Sequence, residues 1–190
     1  VLWGFRAEPY LGDRGLRALD RLTRMTLSAA RLALRDAGVA PEASGRAQTG
    51  VAWGTAYGSL EAIEELHRVV EIDEPRFISP TRFPNTVVNA TAGQLAIWET
   101  LRGPNVTLSD DRCAFYSALT HAQLQLAAGA AERMLVGASD ALSLGTLVAI
   151  DRLERRGHTI RCMLRGATAR ARGFSWSSQV PKAGSRRSSA

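Results

Sequence analysis

Lysine is all but absent from this chain: Lys182 stands alone among the 24 basic residues, and the rest are arginine. No apolar run approaches the ~20 residues that a membrane-spanning helix needs. The amino end, VLWGFRAEPYLGDRG, has no basic stretch followed by an apolar one, so nothing there reads as a secretory signal. Cys113 and Cys162 are the only cysteines, too few for a disulfide framework, and no Cys/His spacing fits a zinc site. A reducing cytoplasm is therefore the expected compartment. A Walker motif, a G-x-G-x-x-G turn after a strand and a G-x-S-x-G elbow are also lacking, which removes the commonest nucleotide-binding and hydrolase readings. No cofactor and no metal is expected.

What is present looks at first like a basic protein, with a net charge of +6 over 190 residues. The charge is unevenly placed. Residues 1–151 carry 14 arginines against 17 acidic side chains, a net of −3, while residues 152–190 carry ten basic groups against Glu154 alone. The basicity belongs to the tail, and no aromatic stacking pattern accompanies it, so neither nucleic acid nor a membrane is the expected partner.

Helical spacing runs from Asp13 to Ala37, through Leu16, Leu19, Leu22, Met25, Ala29, Leu32 and Ala33, with Asp13 as the predicted N-cap and Gly38 and Pro41 as the stop. TGVAWGTAYGS (49–59) reads as a buried strand entering a glycine turn, and LEAIEELHRVV (60–70) as a second helix with a solvated charged face. Three prolines make 71–85 irregular. Thr91 and Gln94 have the capping-box spacing at the start of a third helix, which ends near Gly103 and Pro104. NVTL is a short strand. Residues 113–128 form a helix rich in Ala and Leu, too apolar for a surface and expected to be buried. RMLVGASDAL (133–142) is a further buried strand. This order predicts an α/β layered fold over residues 1–156, followed at 157–190 by an Arg/Ser/Gly-rich tail that reads as disordered. Asn89 and Asn105 fit turn and helix-entry roles.

Five segments in this order, LRALDRLTRMTLSAARLALRDAGV, TGVAWGTAYGS, FPNTVVNATAGQLAI, LRGPNVTL and AAGAAERMLVGASDAL, resemble the N-terminal half of the β-ketoacyl-ACP synthases, the condensing enzymes of fatty-acid and polyketide synthesis. The resemblance covers roughly residues 5–155 and implies the N-terminal half of a thiolase-like α-β-α fold. It further implies acyltransferase chemistry: a decarboxylative condensation of an acyl thioester with malonyl-ACP. The implied partners are acyl carrier protein and a second synthase subunit, in a homodimer or heterodimer. In such enzymes a cysteine at the start of a helix takes the acyl group, because the helix dipole favours thiolate and backbone N–H groups hold the oxyanion.

That comparison makes Cys113 the candidate nucleophile and also exposes its irregularities. Eight residues past Pro104, and seventeen before Gly129, the family's nucleophile slot falls on Arg112. One residue along a helix is a turn of ~100°, so Cys113 should aim away from the expected pocket. Asp110 and Asp111 precede it, and neighbouring carboxylates oppose thiolate formation, while Arg112 opposes them. The bland alternative is that Cys113 is a small buried residue. His67, His121 and His158 match none of the family's catalytic histidines. Both ends of the chain read as truncated relative to the family, and the tail reads as the product of a shifted reading frame; sequencing the gene beyond the Arg156 codon tests this. The expected function is a condensing-enzyme-like protein with impaired activity. The alternatives are a non-catalytic partner resembling a chain-length factor, and a gene remnant.

Overall fold

The computed structural model describes residues 4–39 and 46–156. Pro41, His158, Cys162 and the predicted tail lie outside them. The architecture is a three-stranded parallel sheet with helices on both faces. Its strands are β1 (Thr49–Thr55), β2 (Asn105–Ser109) and β3 (Arg133–Ala138), in the spatial order β2-β1-β3. Val51 pairs with Asn105 on one side of β1, and Thr49 with Arg133 on the other. Every residue of β1 is buried, as a central parallel strand covered on both faces requires.

Side chains alternate across a strand, so β1 divides its residues between two layers. Val51 and Trp53 face the main core, built with α1 (Glu8–Leu11), α2 (Arg21–Asp36) and α4 (Ala90–Trp98) through Leu11, Leu27, Leu34, Ala92 and Leu95. Ala52 faces the other way, onto Ala118 and Ala122 of α5 (Ala114–Ala127), with Val106, Leu108, Met134 and Val136 around them. Gly137 of β3 leaves room for the Trp53 ring, which a Cβ there would strike.

The predicted long helix is broken. Gly15, at φ +79°, opens a 3-10 turn at Leu16–Ala18, and Leu19, which is extended, separates that turn from α2. The true N-cap is Asp20, not Asp13: its carboxylate accepts the Thr23 N–H at 2.8 Å. The buried stripe of α2 is also rotated from the apolar one, for Ala29, Leu32 and Ala33 are exposed. Thr23 and Thr26 are buried instead, because each hydroxyl finds a partner across the interface, Thr91 Oγ1 at 3.2 Å and Ser139 Oγ at 2.8 Å. Thr91 is therefore spent on α2 and caps nothing; Asn89 is the N-cap of α4 and gives no side-chain hydrogen bond. Gly38 closes α2 at φ +68°, with Val39 N–H returning to the Leu34 carbonyl, a Schellman closure.

α3 (Leu60–Arg68) runs on into a π turn at Val69–Asp73, and two 3-10 turns at Pro75–Phe77 and Phe83–Thr86 fill the proline-rich stretch. A sixth helix, α6 (Leu144–Arg155), follows β3 where no helix was expected; Ser143 caps it by accepting the Thr146 N–H at 3.0 Å. β3 stops at Ala138 rather than running to residue 142, because Ser139 and Asp140 turn away to bind other elements. The two faces of the sheet are closed very differently. On the α2/α4 side, Glu99 is buried and paired with Arg46 at 2.8 Å and Arg31 at 2.7 Å, joining α4 to α2 and to the segment before β1.

Candidate active site

The junction between β2 and α5 is built from a sharp reversal. Asp110 leaves the strand, and Asp111 takes φ +40°, a conformation L-residues seldom adopt. Residues Asp111–Cys113 form a single 3-10 turn, closed by Cys113 N–H donating to the Asp110 carbonyl at 2.8 Å. Cys113 is then the N-cap of α5. Its sulfur accepts no capping hydrogen bond, and it is a free, exposed thiol, which corrects the expectation of a small buried residue. Arg112 lies in the 3-10 turn with an exposed side chain whose Nε is 3.9 Å from Asp111 Oδ2. The position next to the helix dipole is thus held by Cys113, with Arg112 one step outside it.

The first turn of α5 rests on β1. A Cβ at Gly54 would collide with the Ala114 carbonyl and come to 2.9 Å of the Phe115 nitrogen, so only glycine permits this approach. Ser117 Oγ donates to the Asp110 carboxylate, tying the reversal back to the helix. Phe115 and Tyr116 pack edge to face at 5.7 Å, and Tyr116 is 69% exposed. The expected burial of this helix is corrected in the same way: Ala114, Ala118 and Ala122 meet the sheet, but Leu124 is 63% exposed. Alanines at a spacing of four make a stripe too narrow to hide the rest of the helix.

The described histidines do not gather at the thiol. His67 pairs with Glu71 at 3.3 Å on the exposed side of α3, as a solvated face. His121 sits eight residues along α5, about 12 Å of helix rise, with Nε2 3.2 Å from Gln125 Nε2. Asn105 donates to the Ala92 carbonyl at 3.0 Å and so joins β2 to α4. Among the described residues, no group of three or more His, Cys, Asp and Glu could hold a metal ion.

Two features escaped sequence reasoning. One is a cleft of about 400 Å³ between α2, α3 and residues 77–86, lined by Arg21, Glu61, Glu65, Phe77, Arg82 and Phe83 among others; Cys113 is not in its wall. Burial there raises the Glu61 carboxyl above its ordinary range, with Asp20, Glu65 and Glu64 adding to the shift and Arg21 opposing it. The other is the pair Ser139–Asp140 at the end of β3. Ser139 accepts the Trp53 indole N–H at 2.9 Å, and Asp140 accepts from Thr55 Oγ1 at 2.6 Å and from Tyr57 N–H at 2.8 Å. An Asp just after a glycine-bearing strand is the one sequence signal that could have pointed there.

A parallel α/β layer, with a cysteine at the N-cap position of the helix that leaves an outer strand, defines the class: an α/β protein with a candidate nucleophile at a strand–helix junction. The family is set by comparison. The profile described as β-ketoacyl synthase, N-terminal domain, matches residues 6–178, and the chain belongs to that family. The 3-oxoacyl-(acyl-carrier-protein) synthase 2 of Vibrio cholerae is 34% identical over 140 residues, covering 74% of this chain and 34% of that protein. The synthase of the same name from Vibrio harveyi is 33% identical over 139 residues, covering 73% and 34%. The solved ishigamide ketosynthase/chain length factor superposes with a TM-score of 0.67 at 31% identity, covering 84% of this chain and 44% of that one. The thiolase-like ketosynthase fold is thereby established for the described part. The chain spans about a third of the length of the curated relatives it matches.

Proposed function

We propose that this chain works in fatty-acid or polyketide elongation as part of a β-ketoacyl-synthase-type condensing unit, with Cys113 as its acyl acceptor and with impaired activity. The observation that carries this reading is the exposed Cys113 thiol at the N-cap of α5, on the end of a parallel sheet, in a member of this family. In the reaction so proposed, the Cys113 thiolate attacks an acyl thioester, forming a new acyl–sulfur bond and releasing the carrier thiol. Malonyl-ACP then loses CO₂, and the resulting enolate carbon takes the acyl group, which returns the thiolate. The N–H groups at the head of α5 would face the oxyanion. The described histidines are engaged elsewhere, His67 with Glu71 and His121 beside Gln125, which is why low activity is expected. The proposed partners are acyl carrier protein and a synthase subunit, as homodimer or heterodimer, and the proposed compartment is the cytoplasm. No described helix is long and apolar enough to cross a membrane.

The second reading is a non-catalytic subunit that shapes a partner synthase's pocket, as a chain-length factor does. It is favoured by Arg112, which stands where the family spacing expects the nucleophile. Intact mass spectrometry after incubation with acyl-ACP, or with a thiol-directed synthase inhibitor, decides between the two. An adduct mapped to Cys113 at neutral pH supports the condensing role. An unmodified Cys113, with co-purification of an active synthase, supports the partner role.

A further inference from the structure

The end of β1, on which the head of α5 rests at Gly54, is bound by groups from the far end of β3. Ser139 N–H donates to the Gly54 carbonyl at 3.1 Å, and Ser139 Oγ accepts the Trp53 indole N–H at 2.9 Å and shares a hydrogen bond with the Thr26 hydroxyl at 2.8 Å. Asp140 completes the buckle. Its carboxylate accepts from Thr55 Oγ1 at 2.6 Å, Ala56 N–H at 3.0 Å and Tyr57 N–H at 2.8 Å, and the Thr55 hydroxyl in turn accepts the Gly58 N–H at 2.8 Å. Successive backbone N–H groups wrapped around one anion form a nest, here filled by the protein's own carboxylate. The strand end so fixed includes Gly54, the seat on which Ala114 and Phe115 rest.

We propose that Asp140 is a positioning residue for the candidate site: by filling the nest at residues 55–57 it fixes the Gly54 seat and so holds the first turn of α5, and Cys113 with it. Charge-assisted hydrogen bonds of this kind are about twice as strong as neutral ones, so three on one carboxylate make a stiff joint. The importance of the joint for catalysis rests on the condensing-unit reading, but the joint itself does not.

Hydrogen exchange on the full chain tests it without requiring activity. The readout is the amides of residues 117–120, whose N–H groups bond the carbonyls of 113–116. Asp140→Ala should raise exchange at 56–57 and at 117–120 by about tenfold, leave the middle of α2 unchanged, and be reversed by formate, which fits the vacated nest. Asp140→Asn keeps one acceptor, should give a smaller rise at the same amides, and serves if Asp140→Ala folds poorly. Exchange that rises only at 56–57, that rises equally in α2, or that ignores formate overturns the proposal. Such a failure leaves the Cys113 adduct experiment untouched, and an unmodified Cys113 leaves the exchange result standing.

Discussion

The two faces of the β2-β1-β3 sheet are closed by opposite means. On one, α2 and α4 cover Val51 and Trp53 with Leu27 and Leu95, both fully buried, and Glu99 is locked between Arg31 and Arg46. On the other, a single helix lies on the sheet through Ala114, Ala118 and Ala122 and leaves Leu124, Leu126, Phe115 and Tyr116 exposed. Large side chains at a distance stabilise the first face. The second relies on close approach, with Gly54 letting the backbone of α5 touch β1. The difference teaches where the stability and the candidate chemistry lie: the α2/α4 face anchors the fold, and the α5 face carries an exposed thiol on a thinly held helix.

Glu99→Ala should break the first face most severely, by about 3–5 kcal/mol in urea unfolding, since it strips a buried ion pair of one partner and leaves the other charge uncompensated. Leu27→Ala should follow at about 2–5 kcal/mol, the transfer and cavity terms of a fully buried leucine. Gly54→Ala probes the second face. The added methyl meets the backbone at Ala114, which cannot rotate away, so about 1–3 kcal/mol should be lost, and an NMR relaxation measurement should show increased mobility at residues 113–117. Leu124→Ala should lower the unfolding free energy by less than about 0.5 kcal/mol. A cost near that of Leu27→Ala would show that α5 is covered in solution, and the contrast between the faces would fall.

The smallest effect is expected at Glu61, in the cleft beside α2. Its carboxyl is raised in the folded chain by burial and by Asp20, Glu65 and Glu64, so folding favours the protonated form. Stability at this site is therefore greatest at low pH and declines as pH rises from the ordinary carboxylate range through the raised value. Glu61→Gln should melt slightly higher than the parent near neutral pH, and the two curves should converge in acid. A constant difference across pH would show that the charge is not involved.

Much of the layer order was legible in the sequence, because β1 is a near-continuous apolar run and the helices carry three-and-four spacing. The helix ends were less legible. Asp13 and Asp20 are equivalent as cap signals, and only the positive φ at Gly15 and the extended Leu19 give the role to Asp20. The buried face of α2 was misread for a similar reason: threonine counts as polar until Thr91 and Ser139 supply partners for its hydroxyls. α6 was missed, although Ser143 and the Asp151–Arg155 pair at a spacing of four are ordinary helix signals.

At the candidate site the division is sharper. Residue type and spacing brought Cys113 to the strand–helix junction by counting along one chain, while the expectation of Arg112 in the nucleophile slot came from the family resemblance. Exposure of the thiol, its place as N-cap, and the contacts of Asp140 to residues 55–57 were decided only in three dimensions. They depend on groups about 60 and 85 residues apart in sequence, Gly54 with Ala114 and Thr55 with Asp140, meeting across a sheet. Local pattern carries the elements; which side chains share a space is a property of how the layers close.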